Sequence, residues 1–351
     1  MSLYLISNMY PSQEGLRYGI FVKRFEEAVQ KRYNVKRIVL TKKKSFTSKI
    51  FGYSILFLKI IKLYFVVNKK DIVYVHFPTY VSLFLYPFLW RKIPLIINFH
   101  GSDAVPDSFL KKHLISVLGP IVQKCQQIVV PSKSYQNKIK VMFGVEEKKI
   151  FIYPSGGIDS KVFYPLKKET EKFTIGFVSN FVALKGWSVF LEALNIIEND
   201  GVFLDYEAIM IGDGPDMQKI RDEINRAKLN VRLIKGMNQS ELVKMYNSFD
   251  VFVFPTYRES LGLVGLEAMM CSVPVLATAV EGPLEYMVDG YNGFLFERGN
   301  SKHLASRLIE FNSLLPSERT AMKQNCIETS MKYEKDFVSV ELLNVLSNIN
   351  N

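Results

Sequence analysis

Short apolar runs alternate with amphipathic segments along the whole chain, and the two periods predict strands and helices respectively. In the first half, strands are predicted at 3–7, 35–41, 71–76, 95–99 and 127–130, and helices at about 21–32, 48–68, 79–90, 110–125 and 132–143. The pattern restarts at Phe173, with strands at 173–178, 206–211, 231–234, 250–254 and 274–278. Helices fall between them, including one near 240–247 with Ser240 as its expected N-cap. Such alternation is typical of parallel sheets covered by helices, an α/β class.

Turn-forming and charged residues at 153–169 separate the two halves and indicate a linker. A chain of 351 residues suffices for two cores. We therefore expect an N-terminal domain at 1–168 and a C-terminal domain at 169–330, each doubly wound and Rossmann-like. The tail after Ser301 is helical in pattern, and a helix at about 331–351 is expected to pack back on the first domain. A deep cleft between the domains is the expected ligand site.

The cysteines favour a reducing compartment. Cys125, Cys271 and Cys326 are odd in number and far apart, without a metal-ligand spacing. The opening run at 1–9 has no basic start or cleavage site and is predicted to be a strand. Charged residues and prolines interrupt the apolar stretches at 55–67 and 81–98, so no spanning helix is expected. The prediction is a cytoplasmic protein that is soluble or peripheral to a membrane.

The net charge of +11 conceals an asymmetry between the halves. Residues 1–170 contain 28 Lys and Arg against 10 Asp and Glu, a balance of +18, whereas residues 171–351 carry −7. A surface of this sign suits anionic lipid or nucleic acid. Lipid is favoured because apolar residues between the charges follow a helical period and no nucleic-acid-binding motif is present. A basic surface that only aids solubility remains the alternative. The clusters are Lys42-Lys43-Lys44, Lys69-Lys70, Arg91-Lys92 and Lys111-Lys112.

The stretch 254–275 carries the strongest candidate chemistry. It predicts a strand, a loop with Glu259, a helix with Glu267, and a second strand. Small or flexible residues follow Glu259, so the free N–H groups at the helix start form a cradle suited to phosphate oxygens. Ser272 stands where a helix-ending Gly is usual. Two solvated acids on an amphipathic helix would be the simpler explanation if this stretch stood alone.

These residues resemble the large family of retaining GT-B glycosyltransferases with a Glu-x₇-Glu motif, the family 4-like group that includes bacterial cell-surface polysaccharide enzymes. Glu259 and Glu267 carry the motif. The resemblance covers nearly the whole chain. It extends through the segments Gly212-Asp213-Gly214-Pro215, Lys185-Gly186-Trp187, Tyr246-x-x-x-Asp250, Gly282-Pro283-x-Glu285-Tyr286, Asp289-Gly290-Tyr291-Asn292-Gly293, His100-Gly101-Ser102-Asp103 and Pro154-x-Gly156-Gly157-x-Asp159. It implies the GT-B fold, with two Rossmann-like domains facing each other across a cleft.

The resemblance also implies a role for each matching residue. Lys185 neutralises the donor diphosphate, Glu267 binds the nucleotide ribose, and Glu259 holds the transferred sugar. The backbone of Ser260, Leu261, Gly262 and Leu263 receives the distal phosphate. His100 contacts the donor sugar, with a turn histidine satisfied by backbone as the alternative. Asn180 replaces the usual Arg of the donor site. Asp159 and Glu285 are expected to be structural. Gly19 permits close backbone approach, and Arg17 and Tyr18 are candidate acceptor contacts.

The motifs also limit the reaction type. No Asp-x-Asp motif, dinucleotide fingerprint or phosphate loop occurs, so no metal or other cofactor is implied and a dehydrogenase or NTPase is disfavoured. The expected activity is retaining transfer from a UDP- or GDP-sugar to a glycan or lipid-linked acceptor at the inner membrane face, without a nucleic-acid partner. The alternatives are a sugar-nucleotide epimerase or hydrolase on the same fold, and a non-catalytic nucleotide-sugar-binding subunit.

Overall fold

The computed structural model describes residues 1–13, 18–43, 45–169, 171–201 and 205–349. Contacts divide the chain into two compact units, Met1–Gly157 with Asp336–Asn351, and Ile158–Lys335. The division falls within the turn-rich segment 153–169, and the last helix belongs to the first unit. Each unit contains one six-stranded sheet.

The first unit is built on a parallel sheet with strand order β2-β1-β3-β4-β5-β6. Its central strands are buried along their whole length, because helices cover both faces of a parallel sheet. The chain order reverses between β1 and β3, so ligands of such a sheet are expected at the carboxyl ends of these strands. The strands are β1 (Ser2–Tyr10), β2 (Asn34–Thr41), β3 (Ile72–His76), β4 (Leu95–Asn98), β5 (Gln127–Val130) and β6 (Ile150–Ile152).

Two helical layers cover this sheet. One layer contains α2 to α5 and buries a large aliphatic core, and the other contains α1 and the C-terminal α12. In α12, Val338, Leu342 and Leu346 pack against β-strand residues such as Leu3 and Ile72. The helices are α1 (Ile20–Val29), α2 (Phe46–Val66), α3 (Tyr86–Trp90), α4 (Phe109–Lys124), α5 (Lys133–Phe143) and α12 (Lys335–Asn348), with 3-10 turns at Pro78–Leu85, Ser102–Ala104 and Glu147–Lys149.

The second unit has its own parallel sheet, ordered β12-β11-β10-β7-β8-β9. Here the chain order reverses between β7 and β10. The loops that leave these two strands therefore lie side by side at the carboxyl edge, which is where open α/β sheets bind ligands. The strands are β7 (Phe173–Val178), β8 (Tyr206–Gly212), β9 (Val231–Lys235), β10 (Val251–Phe254), β11 (Val275–Thr278) and β12 (Gly293–Phe296).

Helices on the two faces of this sheet bury separate clusters of apolar side chains. One cluster is centred on Phe177, Phe190 and Leu194, and the other on Phe252, Leu266 and Met269. The helices are α6 (Trp187–Asp200), α7 (Met217–Ala227), α8 (Gln239–Ser248), α9 (Leu263–Met270), α10 (Ser301–Ser313) and α11 (Pro316–Met331), with 3-10 turns at Ala183–Lys185 and Pro283–Glu285.

The α/β class with parallel sheets in both halves is confirmed, and three local predictions need correction. The helix predicted at 79–90 is a 3-10 segment followed by the short α3, because Pro87 has no backbone N–H to continue the helical hydrogen bonds across the junction. The N-cap of α8 is Asn238, not Ser240: the Asn238 side chain accepts from Glu241 N at 3.0 Å, and Glu241 returns a bond to Asn238 N. The strands β6 and β12 were missed because each is short and follows charged or turn-forming residues, at 146–149 and 289–292, that obscure the apolar run.

No helix in the described ranges combines the length and the apolar character needed to cross a bilayer.

Candidate active site

An ion pair joins the two loops at the point where the chain order of the second sheet reverses. The Lys185 Nζ atom lies 2.6 Å from Glu259 Oε2, and both side chains are partly buried. Lys185 ends the 3-10 turn after β7, and Glu259 lies in the loop after β10. The helices α6 and α9 begin beside these residues, so two sets of free backbone N–H groups point to the same edge of the sheet.

The two loops are fixed to each other by backbone contacts. Tyr257 N donates to Leu184 O at 2.9 Å, and Gly186 approaches so closely that an added Cβ would lie 1.8 Å from Pro255 O. Gly186 also adopts a left-handed conformation, with φ of 71°, that disfavours other residues. Lys185 therefore has little freedom to move relative to the loop that carries Glu259.

The start of α9 is held in place by a buried tyrosine. Tyr286 OH donates to Gly262 O at 3.0 Å, and Gly262 caps the helix in a left-handed conformation with φ of 90°. Burial first, and the Glu259 carboxylate second, raise the pKa of Tyr286 well above its usual value, so the hydroxyl remains a donor. Gly265 provides the space for this hydroxyl, since a Cβ there would lie 2.3 Å from it. Leu261 is buried, and Ser260 N donates to Glu259 Oε1 at 3.1 Å.

Glu267 lies in the body of α9 and is almost fully buried. Its Oε2 accepts a hydrogen bond from Tyr246 OH at 3.3 Å. The Cys271 thiol, one turn further along, has its pKa raised to about 12 by burial and by the Glu267 charge. A buried carboxylate requires hydrogen-bond donors, and the Tyr246 hydroxyl is one of them.

Asn180 and the Gly-Asp-Gly turn complete this edge. Asn180 is exposed just after β7, and its backbone carbonyl accepts from Val182 N at 2.9 Å. Gly212 ends β8 close to the neighbouring loop, because a Cβ there would lie 1.8 Å from Ser179 O. Phe181 N donates to Asp213 O at 2.8 Å, which joins the loops after β7 and β8.

The carboxyl edge of the first sheet carries a second group of polar side chains around His100. His100 follows β4, and its Nε2 shares a hydrogen bond of 2.7 Å with Nδ1 of His76, which ends β3. The rings of Phe21 and Phe77 lie against His100, with centroids 4.3 and 5.0 Å away. Burial lowers the pKa of His100 to about 3 and that of His76 well below its usual value, so both imidazoles are neutral near pH 7.

Asp103 organises the turn that presents His100. Its carboxylate accepts from His100 N at 3.0 Å and from Gly101 N at 2.8 Å. Burial is the largest effect on this group and raises the pKa of Asp103 to about 6, against the opposing effect of these backbone donors. The Asp103 carboxylate thus accepts from the backbone N–H groups of this turn, while the His100 imidazole forms its hydrogen bond with His76.

The loop after β1 contains the remaining predicted residues. Gly19 caps α1 with φ of 75°, and a Cβ there would lie 2.7 Å from the Met9 carbonyl carbon. Tyr18 OH donates to Asn8 O at 3.4 Å, and burial raises the pKa of this phenol. Arg17 lies outside the described residues.

His76 is the residue at the edge of the first sheet that the sequence reasoning did not select, although it ends an apolar strand just as His100 follows one. Tyr286 was noted only as part of the Gly282-Pro283-x-Glu285-Tyr286 motif and was given no role, because its role depends on meeting Gly262 and Gly265 in space. Asp159, expected to be structural, pairs with Lys335 at 3.2 Å. In the parts of the chain that the structure describes, no three His, Cys, Asp or Glu residues come together as metal ligands would.

Two family models match adjoining parts of the chain, from residue 12 to residue 329. The model of glycosyl transferases group 1 matches residues 160–329, and that of glycosyltransferase family 4 matches residues 12–159. The chain belongs to the glycosyltransferase family that these two models describe. The site at the edge of the second sheet lies wholly inside the group 1 match.

Relatives with curated names include glycosyltransferases of cell-surface synthesis. An uncharacterized glycosyltransferase of Methanocaldococcus jannaschii is 30% identical over 69% of this chain and 65% of its own. The capsular polysaccharide biosynthesis glycosyltransferase CapM of Staphylococcus aureus is 31% identical over 52% of this chain and 50% of its own. A Campylobacter jejuni N,N'-diacetylbacillosaminyl-diphospho-undecaprenol alpha-1,3-N-acetylgalactosaminyltransferase is 24% identical over 74% and 72%. The matches thus span about half to two thirds of the first two relatives.

Solved structures of this fold confirm the GT-B class for the glycosyltransferase described here. Anabaena HepE in complex with UDP superposes with a TM-score of 0.79 at 16% identity, over 99% of this chain and 100% of its own.

Proposed function

We propose that this glycosyltransferase moves a sugar, with retention of anomeric configuration, from a nucleoside diphosphate sugar to a glycan or lipid-linked acceptor in cell-surface polysaccharide synthesis. The observation that carries the proposal is the Lys185–Glu259 pair at 2.6 Å, between two helix N-termini at the reversal point of the second sheet. A cation and free N–H groups suit a diphosphate, and a carboxylate suits sugar hydroxyls.

The same residues account for departure of the leaving group. Negative charge grows on the diphosphate as its bond to the anomeric carbon breaks, and Lys185 with the N-terminus of α9 would stabilise that charge. The acceptor oxygen forms its bond to the anomeric carbon on the face that the diphosphate leaves, and the departing phosphate oxygen takes the acceptor proton. Glu259 positions the sugar and forms no covalent bond in this scheme. An inverted product by NMR of the anomeric proton would refute it.

The donor is a UDP- or GDP-sugar, and the complex of HepE with UDP favours uridine. Glu267 receives the ribose hydroxyls, and Asn180 donates to the diphosphate through its amide in place of a guanidinium. A contact of His100 with the donor sugar, and acceptor contacts by Arg17 and Tyr18, stay predictions from the resemblance. Thermal unfolding with a panel of sugar nucleotides identifies the donor, because a ligand that binds the folded state raises the melting temperature.

No metal or other cofactor is needed in this proposal, since Lys185 supplies the positive charge next to the diphosphate. Activity should survive excess chelator and should not rise with added Mg²⁺ or Mn²⁺. Loss of turnover on chelation, restored by either metal, would refute this part.

Two assays separate the alternatives from transfer. An epimerase or hydrolase consumes the donor without acceptor, so incubation with donor alone would reveal it. A non-catalytic subunit would bind UDP yet show no turnover with any acceptor, and Lys185→Ala would then change binding only.

The acceptor is inferred from the name of a relative, and the location from the charge of the first half of the chain. The Campylobacter relative is named for an undecaprenol-linked acceptor, and the basic first half of this chain suits an anionic membrane on the cytoplasmic side. Lys42 and Lys43 precede α2, while Lys44 lies outside the described residues. If reversal of the charge at all three positions leaves sedimentation with anionic vesicles unchanged, the electrostatic part of this proposal fails.

A further inference from the structure

Helix α2 is apolar on both faces, although only one face is buried. Gly52, Leu56, Ile60 and Leu63 pack inward, at the spacing of a helix that covers a sheet. The opposite face is exposed to solvent. Its large apolar side chains are Phe46, Ile50, Phe51, Leu58, Ile61 and Phe65.

The outer face forms a continuous stripe. Phe51, Leu58 and Phe65 recur every seven residues, which is about two turns, and are 69%, 65% and 73% exposed. With Phe46 at 76%, the three phenylalanines alone expose roughly 400 Å² of ring surface at about 200 Å² per side chain. A patch of this size is comparable to the largest apolar patch on a typical monomeric protein, which is often a functional surface.

The patch continues onto the neighbouring segment. The Arg91 guanidinium donates to Tyr64 O and lies over the Tyr64 ring, and Phe57 stacks on Phe84 at 4.2 Å. These contacts place Trp90, which is 76% exposed, next to the second half of α2. An exposed indole beside an apolar stripe is the arrangement found at membrane interfaces.

The charges around the stripe are of one sign. No Asp or Glu occurs from residue 28 to residue 70, whereas this segment contains twelve Lys and Arg. Lys59 and Lys62 are exposed on α2 itself and form no ion pair with any described residue. Lysines flanking an apolar face extend their ammonium groups to the level of lipid headgroups while the side chains between them enter the acyl region.

We propose that the outer face of α2, with Trp90, inserts into the surface of an anionic bilayer and holds the protein there. This deepens the membrane part of the proposed function, but it rests on the exposed apolar side chains and not on the reaction or on net charge. Binding by insertion would have an apolar component that persists when salt screens the lysines.

The test uses the full chain in a Trp187→Phe background, which leaves Trp90 as the single tryptophan. Vesicles contain equal parts phosphatidylglycerol and phosphatidylethanolamine, or phosphatidylcholine alone. We expect co-sedimentation with the anionic vesicles, a blue shift of Trp90 emission, and quenching by brominated lipid. The triple variant Phe51→Gln/Leu58→Gln/Phe65→Gln should lower the partition coefficient at least about tenfold at low and high salt, because three side chains lose their insertion energy.

Two variants serve as controls. Val340→Gln replaces an exposed apolar side chain on α12, in the opposite layer of the same unit, and should partition like the parent. Lys59→Gln/Lys62→Gln should weaken binding at low salt only. Circular dichroism and melting confirm that the triple variant folds, since its substitutions are at exposed positions.

Three outcomes would overturn the proposal. The triple variant could partition like the parent, Trp90 could stay in water on bound vesicles, or the parent could be a dimer that the triple variant converts to a monomer without any vesicle binding. Stabilisation by UDP and by GDP is measured on the chain with Trp187 intact. If neither nucleotide stabilises it while Trp90 inserts, the enzymatic proposal fails and the membrane proposal stands.

Discussion

The hydroxyl of Tyr286 and the missing side chain of Gly265 should behave as one energetic unit. Gly265→Ala places a Cβ 2.3 Å from Tyr286 OH and must displace it from Gly262 O. Overpacking of this kind costs about 1–3 kcal/mol, and the lost bond about 1 kcal/mol more, against which alanine returns up to about 1 kcal/mol of helix propensity. We expect a net loss of about 2 kcal/mol in the free energy of unfolding.

The Tyr286→Phe variant separates the steric part from the hydrogen bond. Alone it should cost about 1 kcal/mol, since it leaves the Gly262 carbonyl without this donor. In the Tyr286→Phe background the clash is reduced to a small shift of the ring, because the next ring atom is 3.2 Å from the added Cβ. The double variant should therefore be at least about 1 kcal/mol more stable than the sum of the single effects predicts.

Urea unfolding in a Trp90→Phe background measures this cycle, because the remaining Trp187 reports on the second unit. The shift of the melting temperature with UDP, recorded on the same four proteins, should be smallest for Gly265→Ala, whose Gly262 cap is displaced. If Gly265→Ala costs the same with Tyr and with Phe at 286, the coupling is zero and the proposed support of the α9 N-terminus is wrong.

Three further predictions concern the site and its surroundings. Lys185→Ala should lower turnover by about 10²–10³-fold. It should change the free energy of unfolding by less than about 1 kcal/mol, because the ion pair is partly accessible to solvent. Equal losses in donor binding and in turnover would instead indicate that Lys185 only binds the donor. Glu267→Gln should weaken UDP binding about tenfold and 2′-deoxy-UDP binding less, as measured by calorimetry; equal losses for both ligands would argue against a ribose contact. The pKa of His100 is about 3 in the folded state and 6.5 in the unfolded state. The contribution of the neutral imidazole to the free energy of unfolding is therefore fully present above pH 6.5 and is lost as the pH falls towards 3. The difference in free energy of unfolding between wild type and His100→Asn should thus shrink by about 2 kcal/mol between pH 7 and pH 5. The opposite effect of Asp103 is present in both proteins and cancels in this difference. A difference that does not change with pH would contradict the prediction.

Much of the fold follows from periodicity, and the failures have local causes. The β10-loop-α9-β11 unit was predicted with boundaries close to the observed ones, and Ser272 does occupy the left-handed position, at φ of 63°, where glycine is usual. The edge strands β6 and β12 are short and follow charged or turn-forming residues, which obscure the apolar run. The segment at 79–90 has helical periodicity, but Pro87 lacks a backbone N–H, and the periodicity of side chains does not show this.

The candidate site, too, was predicted in part: its motif residues were selected from the sequence, and the contacts that support them were not. Lys185 and Glu259 are 74 residues apart, and only the strand order brings their loops together. Family motifs in the sequence selected both. The supporting contacts, such as Gly186 on Pro255 and Gly265 on Tyr286, arise from close approaches that no local pattern encodes.

The return of the last helix to the first unit constrains how the protein is made. Val338, Leu342 and Leu346 fill a layer of the first unit, yet they are translated after the entire second unit. During synthesis the first unit therefore exposes an unfinished apolar face until the helix that starts at Lys335 has been made, which is a period of aggregation risk for a chain synthesised at about 5–20 residues per second. A nonsense mutation near residue 336 would leave the loops of Lys185 and Glu259 intact and would still be expected to cost the cell the whole protein.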